Sequence, residues 1–348
     1  MSSKPGYPQD EPVRLLEGND LKSLAKYMNS ESCKNVFLMV SGISTSAGIP
    51  DFRSPDTGEA NLARLKLPYP EAVFQIDFFR RNPVPFYTLA KELYPGRFRP
   101  TPTHSFIKLL DSHSLLHTCF TQNIDTLERR AGVSGRKIIE AHGSFATQRC
   151  IDCKKPHDDA KMKQAITDSE IPRCQHCKGL VKPDIVFFGE ALPHKFHLSI
   201  RSLRNADLLI VMGTSLTVRP FASLVDLVPD ECPRVLINLD DVGDFDRPDD
   251  VVCLGKCDDI VRELCRELGW EEELDKAWEA TAETLEGEVK ASGEESEKPD
   301  EVAQITRAVE RSLNMSEVNS TPTTSDTTRT TTGETQETKP STDRRRSW

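Results

Sequence analysis

The 348-residue chain has no apolar run long enough to cross a bilayer and no charged-then-apolar leader at its start, so membrane and secreted classes are set aside and an intracellular protein is expected. It also lacks a basic excess. The formal net charge is −10, and residues 271–348, with 19 acidic and 10 basic side chains, carry nine of those ten charges. A body so close to neutral does not offer the clustered lysine and arginine that phosphodiester backbones require, which argues against nucleic acid as a direct ligand. A third absence is the Gly-x-Gly-x-x-Gly fingerprint of dinucleotide folds. With no secretory signal, ten cysteines do not read as a disulfide framework; they read as a metal site plus core residues.

What is present begins with residues 36–55. A β-branched apolar run, Val36 to Val40, reads as a buried strand and opens into Ser41, Gly42, Ser44, Thr45, Ser46, Ala47 and Gly48. Small residues after a strand let backbone N–H groups approach a phosphate. Ile49, Pro50, Asp51, Phe52 and Arg53 then place a carboxylate, an aromatic face and a guanidinium together, more than a plain phosphate loop needs. Ahead of this, 1–18 reads as a flexible arm, and Asp20 caps a helix over 21–28. Residues 61–99 read as proline-punctuated helices rich in aromatics, and 102–110 as a capped helix carrying His104.

Four more short apolar runs end abruptly in polar motifs. Residues 116–120 lead into Thr121-Gln122-Asn123-Ile124-Asp125, and 137–139 into Glu140-Ala141-His142-Gly143. Residues 208–212 lead into Gly213-Thr214-Ser215, and 235–237 into Asn238-Leu239-Asp240. Ligands of parallel α/β sheets bind outside the carboxyl ends of the strands, so five strands ending this way build one crevice. Between the third and fourth lie Cys150-x2-Cys153, twenty residues, and Cys174-x2-Cys177, a spacing that reads as a closed, structural tetrathiolate zinc site, with His176 an exposed spacer. In 181–193, Ile185, Val186, Phe187 and Phe188 read either as ordinary core or as walls of a tunnel for an apolar chain, with Gly189 and Glu190 offering an edge to an extended peptide. Residues 254–270 read as a helix ending at Gly269, and 271–348 as an acidic, Thr/Ser-rich, mostly disordered tail. Taken by itself, His142 reads equally as a core histidine or as a proton acceptor.

Together, GIPDFRSP, Thr121–Asp125, Glu140–Gly143, the paired Cys-x2-Cys, Val186–Glu190 and Gly213-Thr214-Ser215-Leu216 resemble the sirtuin family of NAD-dependent protein lysine deacylases, in the family's order across 36–270. Residues 65–74 and 87–96 place the resemblance near the eukaryotic histone and tubulin deacetylases of cytoplasm and nucleus. The resemblance implies an α/β fold with a Rossmann-like parallel-sheet domain (20–58, 100–147 and 180–270 of a 19–270 catalytic domain). A smaller helical and zinc-binding domain comes from 59–99 and 148–179. It implies two substrates, NAD and an acetylated protein bound as extended peptide, with nicotinamide, O-acetyl-ADP-ribose and free lysine as products.

The residue roles that follow are also implied by the resemblance. His142 takes a proton from a ribose hydroxyl, and Asn123 and Asp125 sit at the nicotinamide and its ribose with Ile124 closing the pocket. Asp51 and Phe52 border that site, and Arg53 with Ser41, Gly42, Ser44, Thr45, Ala47, Gly48 and Ile49 holds the diphosphate. Gln122, Gly213, Thr214, Ser215, Asn238, Leu239 and the backbone at Cys257 hold the adenosine half. Phe74, Ile185, Val186 and Phe188 line the acyl-lysine channel beside Gly189 and Glu190. Two departures from the family pattern stand out: Val40-Ser41-Gly42 where the family has Gly-Ala-Gly, and a shortened, tyrosine-free 58–61 segment. They motivate one alternative, a weakly active NAD- and zinc-containing scaffold; the resemblance itself leaves open another, protein ADP-ribosyl transfer.

Overall fold

A computed structural model describes residues 14–50 and 62–284. Asp51, Phe52, Arg53 and the 58–61 segment lie outside the described residues, as do 1–13 and 285–348. In chain order the elements are α1 (Leu21–Met28), β1 (Val36–Val40), α2 (Ile76–Arg81), α3 (Val84–Leu93), α4 (Pro102–Ser112), β2 (Leu116–Thr121), α5 (Leu127–Arg130) and β3 (Ile138–Glu140). There follow β4 (Gly143–Cys150), α6 (Asp159–Thr167), β5 (Val181–Ile185), α7 (His194–Ser199), β6 (Leu208–Met212), β7 (Arg234–Asn238), β8 (Val251–Leu254), α8 (Cys257–Leu268) and α9 (Glu271–Ala280).

Six strands form one parallel sheet in the order β3-β2-β1-β6-β7-β8. Its central strands β1 and β6 are apolar and buried at every position because both faces are covered. Val36, Leu38 and Val40 enter one hydrophobic cluster with Leu24, Ile107, Leu264 and Leu274, whereas Phe37 and Met39 enter another with Phe196, Leu203 and Phe221. Strand alternation thus sorts one run into two cores. The order reverses between β1 and β6, and a doubly wound sheet opens its crevice at such a switch point. A third cluster lies off the sheet and joins Val73, Phe79, Phe86 and Leu89 to Phe145, Cys150, Ile151, Cys174, Val181, Ile185 and Phe187.

Three expectations need correction. Residues 14–18 are not part of a flexible arm: the Asp249 carboxylate accepts the backbone N–H groups of Leu15 (2.9 Å) and Leu16 (3.0 Å), and Leu16 is buried. A sixth strand, β8, precedes the last sheet helix, which begins at Cys257 and not at 254; Gly269 ends it in the left-handed conformation (φ +77°), as read. The acidic tail does not begin at 271. Residues 271–280 form α9, whose Leu274 is fully buried, whose Trp278 indole donates to Pro100 O (3.0 Å), and whose end is held by Arg99 lying 4.2 Å above the Trp278 ring. Three glutamates in its first turn face the positive end of the helix dipole.

Candidate active site

At the switch point the loops after β1 and β6 touch backbone to backbone. A side chain on Gly42 (φ +49°) would meet Gly213 O at 2.7 Å, and one on Gly213 (φ +63°) would meet Ser41 O at 2.5 Å. These two positions require glycine, and the chain supplies it at both. Val40 does not crowd the crevice, because its side chain is fully buried in the sheet core. The departure from Gly-Ala-Gly is therefore taken up by packing beneath the loop. Ser41 and Ser44 are buried, Thr45, Ser46 and Gly48 exposed, and Ala47 and Ile49 half-buried.

The β1 loop is tied to its neighbours by a chain of hydrogen bonds. Thr101 caps α4, and its N–H donates to His104 Nδ1 (3.1 Å). That leaves the Nε2–H to donate toward Ser44 Oγ, 3.4 Å away. Burial pushes the His104 pKa down to about 3, so the ring stays neutral. Asn123 Nδ2 also donates to Ser44 Oγ (3.3 Å), joining the β2 loop to the β1 loop. Asp125 is buried, and its Oδ1 accepts the Leu127 N–H (2.8 Å) while Thr126 is held at φ +70°. Burial raises the Asp125 pKa, against the lowering effect of the Leu127 N–H and the Ser44 hydroxyl. From another side, Ser46 Oγ donates to Asp258 Oδ2 (2.6 Å), and Asp258 Oδ1 accepts both the N–H (3.0 Å) and the hydroxyl (2.5 Å) of Thr103.

His142 follows β3, half-buried, with its ring centroid 6.4 Å from that of Phe221. Its carbonyl accepts the Val186 N–H (2.8 Å), Ala141 N–H donates to Thr121 O (2.9 Å), and Phe145 N–H donates to Ile124 O (3.1 Å). The histidine, the Gln122–Asp125 loop and the strand after β5 are thus one hydrogen-bonded junction. Gly143 (φ +65°) makes it possible, since a Cβ there would fall 1.8 Å from Asp184 O.

On the β6 and β7 side, Thr214 and Asn238 are buried while Ser215 and Leu239 are exposed. Asn238 Nδ2 donates to Asp240 O (2.8 Å), its carbonyl takes the Gly255 N–H (2.8 Å), and the half-buried Cys257 thiol faces Ile237 O (3.6 Å). Among the channel residues, Ile185 is buried, Phe74 and Val186 are half-buried, and Phe188 is 59 % exposed. Phe187 belongs to the core. The peptide edge is narrower than expected on one side, because Phe188 N–H donates to Phe74 O (2.8 Å) and Ile76 N–H to Phe188 O (3.3 Å). Glu190 turns inward: its carboxylate accepts the Phe187 N–H (3.0 Å) and pairs with the buried Lys182 (3.0 Å), so it is Phe188 and Gly189 that face outward. His104, Asp258 and Lys182 were not singled out for the site, and each acts through burial or distant pairing that no local spacing announces.

The four cysteines meet as their spacing requires. Cys150 Sγ lies 3.4 Å from Cys177 Sγ and Cys153 Sγ 3.6 Å from Cys174 Sγ. All four sulfurs fall within 4.8 Å of one another. A tetrahedron with Zn–S bonds of about 2.3 Å has edges of about 3.8 Å, so the set fits one zinc ion. Backbone N–H groups of Cys177 and His176 point at the Cys174 sulfur and lower its pKa to about 6. His176 is exposed, as expected of a spacer. By contrast, burial pushes the thiols of Cys33, Cys232, Cys257 and Cys265 up to about 12, as suits core positions.

A doubly wound parallel sheet, a polar crevice at its switch point and a closed four-cysteine module define a nucleotide-crevice α/β protein with a structural zinc. Residues 41–220 match the Sir2 family, and the chain belongs to that family. It is 54 % identical over 313 residues to the NAD-dependent protein deacetylase hst2-1 of Emericella nidulans, covering 88 % of this chain and 87 % of the relative. It is 51 % identical to the NAD-dependent protein deacetylase sirtuin-2 of Danio rerio over 286 residues, 76 % of each. With the NAD-dependent protein deacetylase hst2 of Schizosaccharomyces pombe it shares 50 % over 274 residues, 77 % of this chain and 82 % of the relative.

Proposed function

We propose that this chain is an NAD-dependent protein lysine deacetylase with one structural zinc ion at Cys150, Cys153, Cys174 and Cys177. Identity of about one half to deacetylases of that description, running through most of both chains, supports the activity. The observation that carries the residue assignment is the junction at which Ser44, Asn123, Asp125 and His142 come together from the ends of β1, β2 and β3.

When bound, NAD supplies the electrophilic ribose carbon and the nicotinamide leaving group. The residues do the rest by holding and moving groups. His142 is assigned as general base for a ribose hydroxyl, at the crevice mouth where imidazole suits neutral pH. Asn123 and Asp125 orient the ribose and nicotinamide end, and the small β1 loop with Gly213, Thr214 and Asn238 receives the rest of the dinucleotide. Phe74, Ile185, Val186 and Phe188 exclude water from the acyl-lysine, and Gly189 flanks the extended peptide. Positioning two substrates in one dry channel supplies much of the rate. Asp51, Phe52 and Arg53 belong to the same assignment.

Histone or tubulin tails in cytoplasm and nucleus are the protein substrates we favour. No helix among the described residues is long and apolar enough to cross a membrane. The test is nicotinamide release from NAD with and without an acetyl-lysine peptide. Peptide-dependent release, equimolar with deacetylated peptide, is expected; labelled ADP-ribose left on protein would replace this reading with ADP-ribosyl transfer, and absence of release with peptide binding retained would leave a scaffold.

A further inference from the structure

Behind the Asn123–Asp125 loop lies a cluster of which the roles above use Asp125 alone. His104 from α4, Asp125 from the β2 loop and Glu128 from α5 place one ligand atom each within 4.8 Å of one another, and all three side chains are buried. Two buried carboxylates this close cannot both be ionised without a compensating cation. Among the described residues no lysine or arginine forms an ion pair with either. The neighbouring Arg129 is bidentate to Glu140 (2.8 Å on each arm), and Glu140 adds a further negative charge from β3. Cys119, facing Glu128 from β2, is a buried thiol, and His104 is neutral.

We infer that Glu128 is kept as an uncharged carboxylic acid in the working protein, so that Asp125 faces no second buried negative charge and keeps its place; it is a positioning residue. The inference about catalysis rests on the role proposed for Asp125. Asn123 N–H donates to Thr121 Oγ1 (3.0 Å), so the Thr121 hydroxyl is left to donate to Glu128 Oε1 (2.6 Å). Glu128 thus receives one hydroxyl, whereas Asp125 receives the Leu127 N–H (2.8 Å), which favours keeping the charge on Asp125. Burial first, and the Asp125 charge second, raise the Glu128 pKa to about 8. Ionising Glu128 places a second negative charge against Asp125 and loosens the Thr121–Asp125 turn on which Asn123 and the Ile124–Phe145 backbone bond depend.

The sign for stability follows. From about the ordinary glutamate value of 4.5 up to about 8, the folded chain holds a proton that the unfolded chain releases. The native protein therefore loses stability as pH rises through that window. Glu128→Gln keeps the shape and the neutrality without the titration. In the full chain, Glu128→Gln should retain turnover at neutral pH and lack an alkaline loss of kcat, centred near pH 8, that the native protein shows. Its Tm relative to the native protein should climb steadily from about pH 5 to about pH 9. Glu128→Ala should lower kcat at every pH more than it raises KM for peptide.

A folded Glu128→Gln protein that is inactive at neutral pH, or one that shares the alkaline limb and a constant Tm offset, would overturn the inference. So would a second metal equivalent, besides zinc, that is lost in Glu128→Gln. The Tm window needs no turnover: if it appears in a chain that deacetylates nothing, the proton assignment stands and the functional reading falls. Should Glu128→Gln not fold, the infrared carboxylic-acid band of the native protein decides, its loss near pH 8 supporting the assignment and its absence throughout refuting it.

Discussion

Replacing Gly143 by alanine attacks the junction at its tightest point. The added Cβ would lie 1.8 Å from Asp184 O, where ordinary contact begins at 3.4 Å, so β4 and β5 must part by more than 1 Å at their first pair. Backbone at φ +65° adds roughly 1–2 kcal/mol for any residue with a Cβ. Parting the strands also stretches the 2.8 Å bond from Val186 N–H to His142 O beyond use, about 1 kcal/mol more. The total is about 3 kcal/mol, or a fall in Tm of about 6–12 °C for a domain of this size. With Val186 in the channel and His142 as the base, as proposed above, KM for an acetyl-lysine peptide should rise and kcat fall, with zinc content unchanged. Thermal denaturation with steady-state kinetics measures both. An alanine variant with native Tm and native peptide KM would refute the reasoning, since the backbone would then have a freedom that the packing denies.

Three further outcomes are expected. Chelation of the metal should lower Tm and activity together, because Cys150, Ile151 and Cys174 are part of the same cluster as Phe79, Phe86 and Phe187; metal analysis should give one zinc per native chain. A chain ending at residue 270 should be less stable than one ending at 284 by at least about 3 kcal/mol, from the buried Leu274 and the Trp278 contacts with Arg99 and Pro100, as denaturant titration would show. Any influence of residues 285–348 on turnover is therefore to be read by comparing the full chain with 1–284. Asp258→Ala removes the acceptor of the Thr103 N–H and hydroxyl and the tie to Ser46 at once. It should cost about 1–2 kcal/mol in stability and raise KM for NAD more than it lowers kcat.

How much could be read without coordinates follows from how local each signal is. Strands β1 and β6 read to the residue because burial on both faces leaves an unbroken apolar run between polar ends. The cysteine site is legible because each knuckle is a short-range motif. Strand β8 was invisible: it is short, lies at the sheet edge, exposes Val252 and Leu254, and runs straight into the periodic helix after it. Helix α9 was lost in the acidity of its first turn, although Leu274, Ala277 and Trp278 carry its packing. Polar residues at strand ends were found because topology alone gathers them. Glu128, by contrast, looks like any helical charge in Leu-Glu-Arg-Arg. Only the packing of α4 and β2 around it makes it a buried acid, and no spacing along the chain encodes that.

The central claim is that the junction around His142 performs NAD-dependent deacetylation of a peptide. Nicotinamide release and peptide deacetylation, followed together in native protein and in His142→Ala with zinc content checked in both, test it most directly. The account expects equimolar, peptide-dependent release in the native protein and loss of both signals in His142→Ala with zinc intact; undiminished deacetylation by the zinc-loaded variant would contradict it.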